Sequence, residues 1–304
     1  MTTAQLDPVG SLDCLGEATP VAVRPDTRVR DHYRRKTAAI VDRYGPGPRV
    51  HYHLGLFDRP HPPSGATAER VRAGIVAAQE RMLERVAEVC EASRFFAGDL
   101  LDVGCGLGGG AIYWAERHPV QVTALTNVPE HAGVVASFAA EAELAGRIRP
   151  LVADVRELPS SLRFDAAVAT ESLCHIPRAE TFQRVGAALR PGGVFAVEDV
   201  FLADPAWREP FDEYWRTRIG TVTEYERAAG RAGLVMDRNV NVTAPTTEFW
   251  VQSMAWAQAR LSERAVPAEE EQRLVRSIRG HLRFFLGWRD NAYHARILRF
   301  RKMG

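Results

Sequence analysis

The 304 residues are 46% hydrophobic and 25% charged, a core-forming composition that excludes a disordered or collagen-like chain. A formal net charge of +1 gives no electrostatic reason to expect a nucleic-acid or anionic-membrane surface. No run of eighteen apolar residues occurs, so no transmembrane helix is expected.

Residues 1–28 are rich in Pro, Thr and Gly without periodicity and are expected to form a mobile arm. They lack the basic start and apolar run of a signal peptide. Residues 29–98 read as a helical cap. "RVRDHYRRKTAAIVDRYG" has helical spacing, and it holds Lys36, one of two lysines in an otherwise arginine-rich chain. "VHYHLGLFD" is aromatic and His-rich, and "RPHPPSGAT" is a proline loop. Within 67–94, Val71, Ile75, Met82, Val86 and Val89 recur on one helical face. Cys14, Cys90, Cys105 and Cys174 form no C-x-x-C pair, so reduced thiols and a cytoplasmic location are expected.

From residue 99 strands and helices alternate, which predicts an α/β chain with a parallel sheet and crossover helices. The strands read as 99–104, 120–126, 148–154, 164–171, 192–201 and 234–242. "TVTEYERAAGRAG" is a helix capped at both ends. A helical insertion over about 246–287 precedes a last strand, "AYHARILRF".

"LLDVGCGLGGG" ends the first of these strands and opens a helix. Glycine lets a backbone turn sharply and approach a ligand, and the helix N-terminus beyond favours an anion. Gly104, Gly106 and Gly109 satisfy G-x-G-x-x-G, so a dinucleotide site is one reading. Asp102 and the end of the second strand favour another. Asp102 can accept bonds from an ammonium group, and Thr126 and Asn127 stand where a nucleotide ribose usually meets an acid. A ligand with an amino-acid end suits this loop better.

With "LVADV" and "LRPGGVFAV", this loop resembles the class I S-adenosylmethionine-dependent methyltransferases over about residues 95–242. The resemblance implies a Rossmann-like seven-stranded fold. Its last strand is antiparallel, an N-terminal helical arm covers it, and a helical lid lies between strands six and seven. It implies that Asp102, Gly104, Gly106 and Gly108 surround the methionine end of S-adenosylmethionine. Asp154 would accept the adenine amino group beside Val155, and Thr126, Asn127 and His131 would lie near the ribose. S-adenosylhomocysteine is the product.

"HYHLGLFD", "ESLCH", "TEFW" and "GWRDNAYHARI" resemble bacterial prenyl diphosphate C-methyltransferases of the geranyl type. They are also similar to terpenoid-indole C-methyltransferases and sugar O-methyltransferases of secondary metabolism. The first likeness implies C-methylation of an alkene carbon, with Glu171 as cation stabiliser and general base. Tyr52, Phe57, Trp215, Phe249 and Trp250 are candidate cavity walls. A diphosphate would bring Mg²⁺ held mainly by its own oxygens, and Arg178 and Arg289 lie in segments that could meet the anion. The alternative is an O- or N-methyltransferase, or a terpenoid-indole C-methyltransferase. There His175 and Asp199 serve a hydroxyl acceptor, although His175, just before Pro177, reads equally as a helix cap. His51 and His53 share a strand face without a third ligand, so no metal site is assigned to protein groups. A non-catalytic cofactor-binding protein is the third reading, against which the intact loop, Asp154 and Glu171 argue. The expected partner is a small molecule, not nucleic acid or a membrane, and a swapped N-terminal arm would give a homo-oligomer.

Overall fold

The structure is a computed structural model that describes residues 27–58, 65–263 and 266–304. The expected arm over 1–28 falls almost wholly outside the described residues. Helix α1 spans Thr27–Tyr44 and α2 spans Ala68–Val89, with a single turn, α3, at Ala92–Phe95. The apolar stripe of α2 is buried as its spacing requires, from Val71 and Ile75 through Met82 to Val86 and Val89. Thr67 caps this helix by accepting from the Arg70 N–H.

The core then alternates. Strand β1 (Gly98–Val103) leads to α4 (Gly109–Arg117), β2 (Val120–Thr126) to α5 (Pro129–Glu141), and β3 (Ile148–Val152) to β4 (Phe164–Thr170). Helix α6 (Arg178–Ala188) precedes β5 (Leu189–Leu202). "LRPGG", read as a turn, is absorbed into β5, which starts three residues earlier than its apolar run and pairs Leu189 with Phe164 across a register shift. Helix α7 (Arg208–Trp215) was not legible in the sequence. Helix α8 (Val222–Arg231) has the capping box that its ends suggested, Thr221 and Glu224 each bonding the other's backbone.

Strand β6 (Leu234–Asn241) is followed by two antiparallel-packed helices, α9 (Thr243–Leu261) and α10 (Ala268–Arg289), and by β7 (Tyr293–Lys302). The sheet order is β3-β2-β1-β4-β5-β7-β6. Strands β1 to β5 pair in parallel, and β7 runs antiparallel between β5 and β6. Strand order reverses at β1 and β4, so a ligand crevice is expected beyond their carboxyl ends.

Alternation divides the core. Ala166 and Val168 of β4, with Val194 and Ala196 of β5, join the face packed by α2, α4, α9 and α10. Ala167, Ala169, Phe195 and Val197 join the opposite face with Phe182 of α6 and Tyr225 of α8. Segment 50–57, α1, α9 and α10 therefore all lie on one side of the sheet. They roof the carboxyl ends of the strands there. No helix among the described residues is long and apolar enough to cross a membrane.

Candidate active site

Two adjoining cavities occupy the crevice. The larger, about 150 Å³, lies beyond β1, β2 and β4. The smaller, about 50 Å³, lies under α1, α7 and α9. Glu171 and His175 line both, so the two cavities meet at these side chains.

The larger cavity gathers the predicted cofactor residues. Asp102, Gly104, Gly106, Thr126, Asn127, His131, Asp154 and Val155 all line it. The loop is pinned by the Gly104 and Cys105 N–H groups, which donate to the Leu125 carbonyl at 2.9 and 3.0 Å. Gly106 has φ +55°, and a side chain there would project into open space, which is where a ligand backbone can approach. Gly108 does not line the cavity. It caps α4 with φ +87°, and a Cβ there would press on Val135 at 3.0 Å, so its role is to bring α4 against α5. Gly109 and Gly110 line the cavity instead, and Gly109 leaves room for the Val50 carbonyl.

Asp102 is 5% exposed, and its carboxyl has no hydrogen bond or ion pair among the described residues. Burial alone pushes its carboxyl up to about 7. A buried carboxyl without a partner is costly, so this position awaits a cationic group. An ammonium next to a glycine cradle at a helix N-terminus matches the amino-acid end of S-adenosylmethionine. The residues present therefore fit that cofactor. Asp154 is more committed than its sequence position suggests. Its two oxygens accept from the Arg156 guanidinium at 2.9 and 2.7 Å; burial works against its ionisation, but these bonds hold it below the usual carboxylate range. Oδ1 also accepts from the Arg156 backbone N–H at 2.9 Å, so it is Oδ2 that keeps a second lone pair for an adenine amino group. Thr126 Oγ1 accepts from the Val128 N–H at 3.2 Å, and His131 Nε2 lies 3.0 Å from Thr37 Oγ1 of α1.

Glu171 directly follows β4 with φ +45°, an uncommon conformation for a residue with a side chain and one that recurs at functional sites. Its backbone N–H donates to the Glu198 carbonyl at 2.8 Å, and its Oε1 accepts from the Leu54 N–H at 2.6 Å. Burial pushes its carboxyl up to about 8, and the Leu54 bond opposes this. His175 follows in a 3₁₀ turn, Leu173–His175. Its Nε2 lies 2.7 Å from the Tyr33 hydroxyl of α1, and burial lowers the imidazole to about 3.

Among the expected cavity walls, Tyr52, Trp215, Phe249 and Trp250 line the smaller cavity. Phe57 does not. It is buried in the cap, its N–H bonded to the Pro245 carbonyl, and it corrects that assignment. Asp199 reaches the cavity but its carboxylate is engaged, accepting from Tyr225 Oη at 2.7 Å and from the Cys174 and Val200 N–H groups. It holds the turn after β4 in place and is not a free base. Arg178 is bonded to Glu224 and to the Arg218 carbonyl, and Arg289 is exposed at the end of α10, so neither faces the cavity. The sequence reading missed Tyr33, Tyr44 and Phe211, which complete the aromatic wall. It also missed Lys36, whose Nζ lies 5.3 Å from the Trp215 ring centroid. Burial, with Arg43 and Arg216 nearby, lowers this amine to about 8, and no carboxylate pairs with it among the described residues. Nor do the described residues gather three His, Cys, Asp or Glu side chains that could hold a metal ion.

Residues 100–193 match a family described as a methyltransferase domain. The O-methyltransferase rstn1 of Aspergillus nomiae is 34% identical over 153 residues, 49% of this chain and 63% of that protein. The 27-O-demethylrifamycin SV methyltransferase of Amycolatopsis mediterranei is 32% identical over 167 residues, 52% of this chain and 61% of that protein. The match thus spans less than two thirds of either relative. The geranyl diphosphate C-methyltransferase of Streptomyces coelicolor A3(2) was solved with Mg²⁺, geranyl diphosphate and S-adenosyl-L-homocysteine. It superposes with a TM-score of 0.72 at 18% identity, covering 91% of this chain and 97% of that one, a likeness of fold.

Proposed function

We propose that this chain is a class I methyltransferase that methylates an alkene carbon of a small apolar acceptor with an anionic head, a prenyl diphosphate such as geranyl diphosphate. S-adenosylmethionine supplies an electrophilic methyl group that leaves its sulfonium by in-line displacement. The observation that carries the reading is the smaller cavity. Its walls are Tyr33, Tyr44, Tyr52, Phe211, Trp215, Phe249 and Trp250, and Glu171 stands where it opens toward the cofactor.

Such a cavity suits an alkene nucleophile. Carbon methylation leaves a cation on the acceptor, and a desolvated cation gains about 2 kcal/mol from an aromatic face. Glu171 supplies the opposite charge and takes the proton that restores the double bond. A base raised to about 8 is matched to neutral pH. His175, lowered to about 3 and engaged by Tyr33, is a weak base by comparison. Lys36 supports an anionic head group, because it is an amine without a counter-ion among the described residues, at the edge of the aromatic wall. The indole N–H groups of Trp215 and Trp250 have no hydrogen-bond partner among the described residues and add donors. Mg²⁺, if the acceptor carries it in, would be held mainly by phosphate oxygens.

Transfer to a hydroxyl is the second reading. The Tyr33–His175 contact at the junction of the cavities favours it, as do the names of the two curated relatives. Here Tyr33 and His175 would orient the hydroxyl. The test is incubation with methyl-labelled S-adenosylmethionine, with and without Mg²⁺, against a panel of prenyl diphosphates, the matching prenyl alcohols and hydroxylated aromatics. Label in a carbon-methylated prenyl diphosphate supports the first reading, and label only in O-methylated products replaces it with the second.

A further inference from the structure

Glu198 is a carboxylic acid that the reaction above leaves unused. It is 0% exposed within β5, and neither carboxyl oxygen has a hydrogen-bond partner among the described residues. Its neighbours across the sheet are Thr170 of β4 and Ile297 of β7. Alternation places its side chain on the same side as Ala196 and Val200, the side roofed by segment 50–57. Glu171 follows Thr170 directly and bonds the Glu198 carbonyl. In a regular strand Glu171 would point to the opposite face. Its φ of +45° breaks the alternation and sends its carboxyl to Leu54, on the Glu198 side. Two carboxyls therefore share one side of the sheet, one residue apart in register.

Two like charges cannot both persist in such a place. Glu198 is the deeper of the two, and burial with the Glu171 charge beside it holds its proton on well above the usual carboxylate range. We infer that Glu198 is a positioning residue, a neutral acid behind Glu171 whose O–H dipole steadies the Glu171 carboxylate while that group waits to take a proton. The inference rests on Glu171 being the base. Apart from Asp199, the other ionisable groups around Glu171 are silent near neutrality. Tyr33 and Tyr44 of α1 and Tyr52 before α2 are raised by burial, as is Cys174, while His53 and His175 are lowered. Asp199, raised to about 6 by burial, is held by its own donors.

Two substitutions separate dipole from charge. Glu198→Gln keeps a neutral polar group, and Glu198→Leu removes it at similar size. The Gln variant should keep the acid limb of the kcat–pH profile in place. The Leu variant should move it up by up to about one pH unit, because a neutral dipole beside a buried carboxylate is lost although no hydrogen bond is broken. S-adenosylhomocysteine affinity should stay unchanged in both. An unmoved limb in the Leu variant, or a limb that falls in the Gln variant, overturns the inference. Carboxyl-carbon NMR titration of the wild-type protein gives the answer without turnover and without a new fold. Glu198 should keep its proton through the whole pH interval over which Glu171 ionises, and ionisation of Glu198 before Glu171 overturns the proposal. A wild-type acid limb that survives Glu171→Gln instead shows that the base itself was misassigned.

Discussion

The backbone N–H of Leu54 meets Glu171 Oε1 at 2.6 Å across 117 residues of sequence. One residue of the N-terminal cap thus holds the carboxylate at the junction of two cavities. In the proposed reaction the cap is therefore part of the catalytic geometry, since the carboxylate it grips lines both cavities.

Glu171→Gln should keep that backbone bond and lose the base. Turnover is expected to fall by at least about 10²-fold, the lower range for losing a general base. Calorimetric affinity for S-adenosylhomocysteine should not change. Turnover near that of the wild type would move the proton transfer to another group.

Binding of S-adenosylhomocysteine should release protons below neutrality. Asp102 is raised to about 7 when free, and a bound ammonium favours its ionised form, so at pH 6 the carboxyl must lose its proton on binding. Calorimetry in buffers of different ionisation enthalpy should show net proton release at pH 6 that disappears by pH 9. Asp102→Asn should abolish the release and weaken binding by about 2–5 kcal/mol, the range for breaking a buried charge pair.

The same groups set the pH dependence of stability without ligand. Asp102 and Glu171 rise from 3.8 and 4.5 to about 7 and about 8, so between these limits the folded chain binds more protons than the unfolded one. Stability then falls as pH rises through that window. Tm should be lower at pH 8 than at pH 6 without ligand, and saturating S-adenosylhomocysteine should narrow the difference. A ligand-free Tm that climbs over this interval contradicts the assignment.

Tyr33→Phe distinguishes the two acceptor chemistries. It removes only the hydroxyl that lies 2.7 Å from His175 Nε2. Carbon methylation should change little, whereas a hydroxyl acceptor oriented by this pair should lose about 10²-fold in kcat. Product analysis with both acceptor types on the same preparation reads the outcome.

Lys36→Met keeps the aliphatic stem over Trp215 and removes the charge. KM for a prenyl diphosphate should rise about tenfold or more with kcat nearly kept, the pattern of lost uniform binding. Affinity for S-adenosylhomocysteine should be unaffected. Equal KM values in the two proteins would place the head group elsewhere.

The cofactor half was legible because its signals are local. A strand, a glycine loop and a helix follow one another in eleven residues, and Asp102 and Thr126 sit at strand ends that the apolar runs define. The acceptor half was legible only in part. Trp215, Phe249 and Trp250 announce themselves by size, but their neighbour Phe57 turns into the cap because its backbone is tied to Pro245. Tyr33 and Lys36 lie in an arginine-rich helix that reads as a solvated surface until α1 is docked over the strand ends. The engagement of Asp199 depends on Tyr225, 26 residues away on another helix, and no spacing rule brings the two together.

The position of β7 carries a consequence for how this fold diversifies. Helices α9 and α10 leave the sheet from β6 and return through β7, and these two strands are immediate neighbours. The pair is a cassette with adjacent attachment points, on the half of the sheet away from β1, β2 and β3. Exchanging it re-shapes the acceptor chamber while Asp102 and the glycine loop keep their places. If the proposed reaction holds, grafting the corresponding helices from a methyltransferase of the same fold should therefore alter which molecules are methylated and leave the grip on the methyl donor intact.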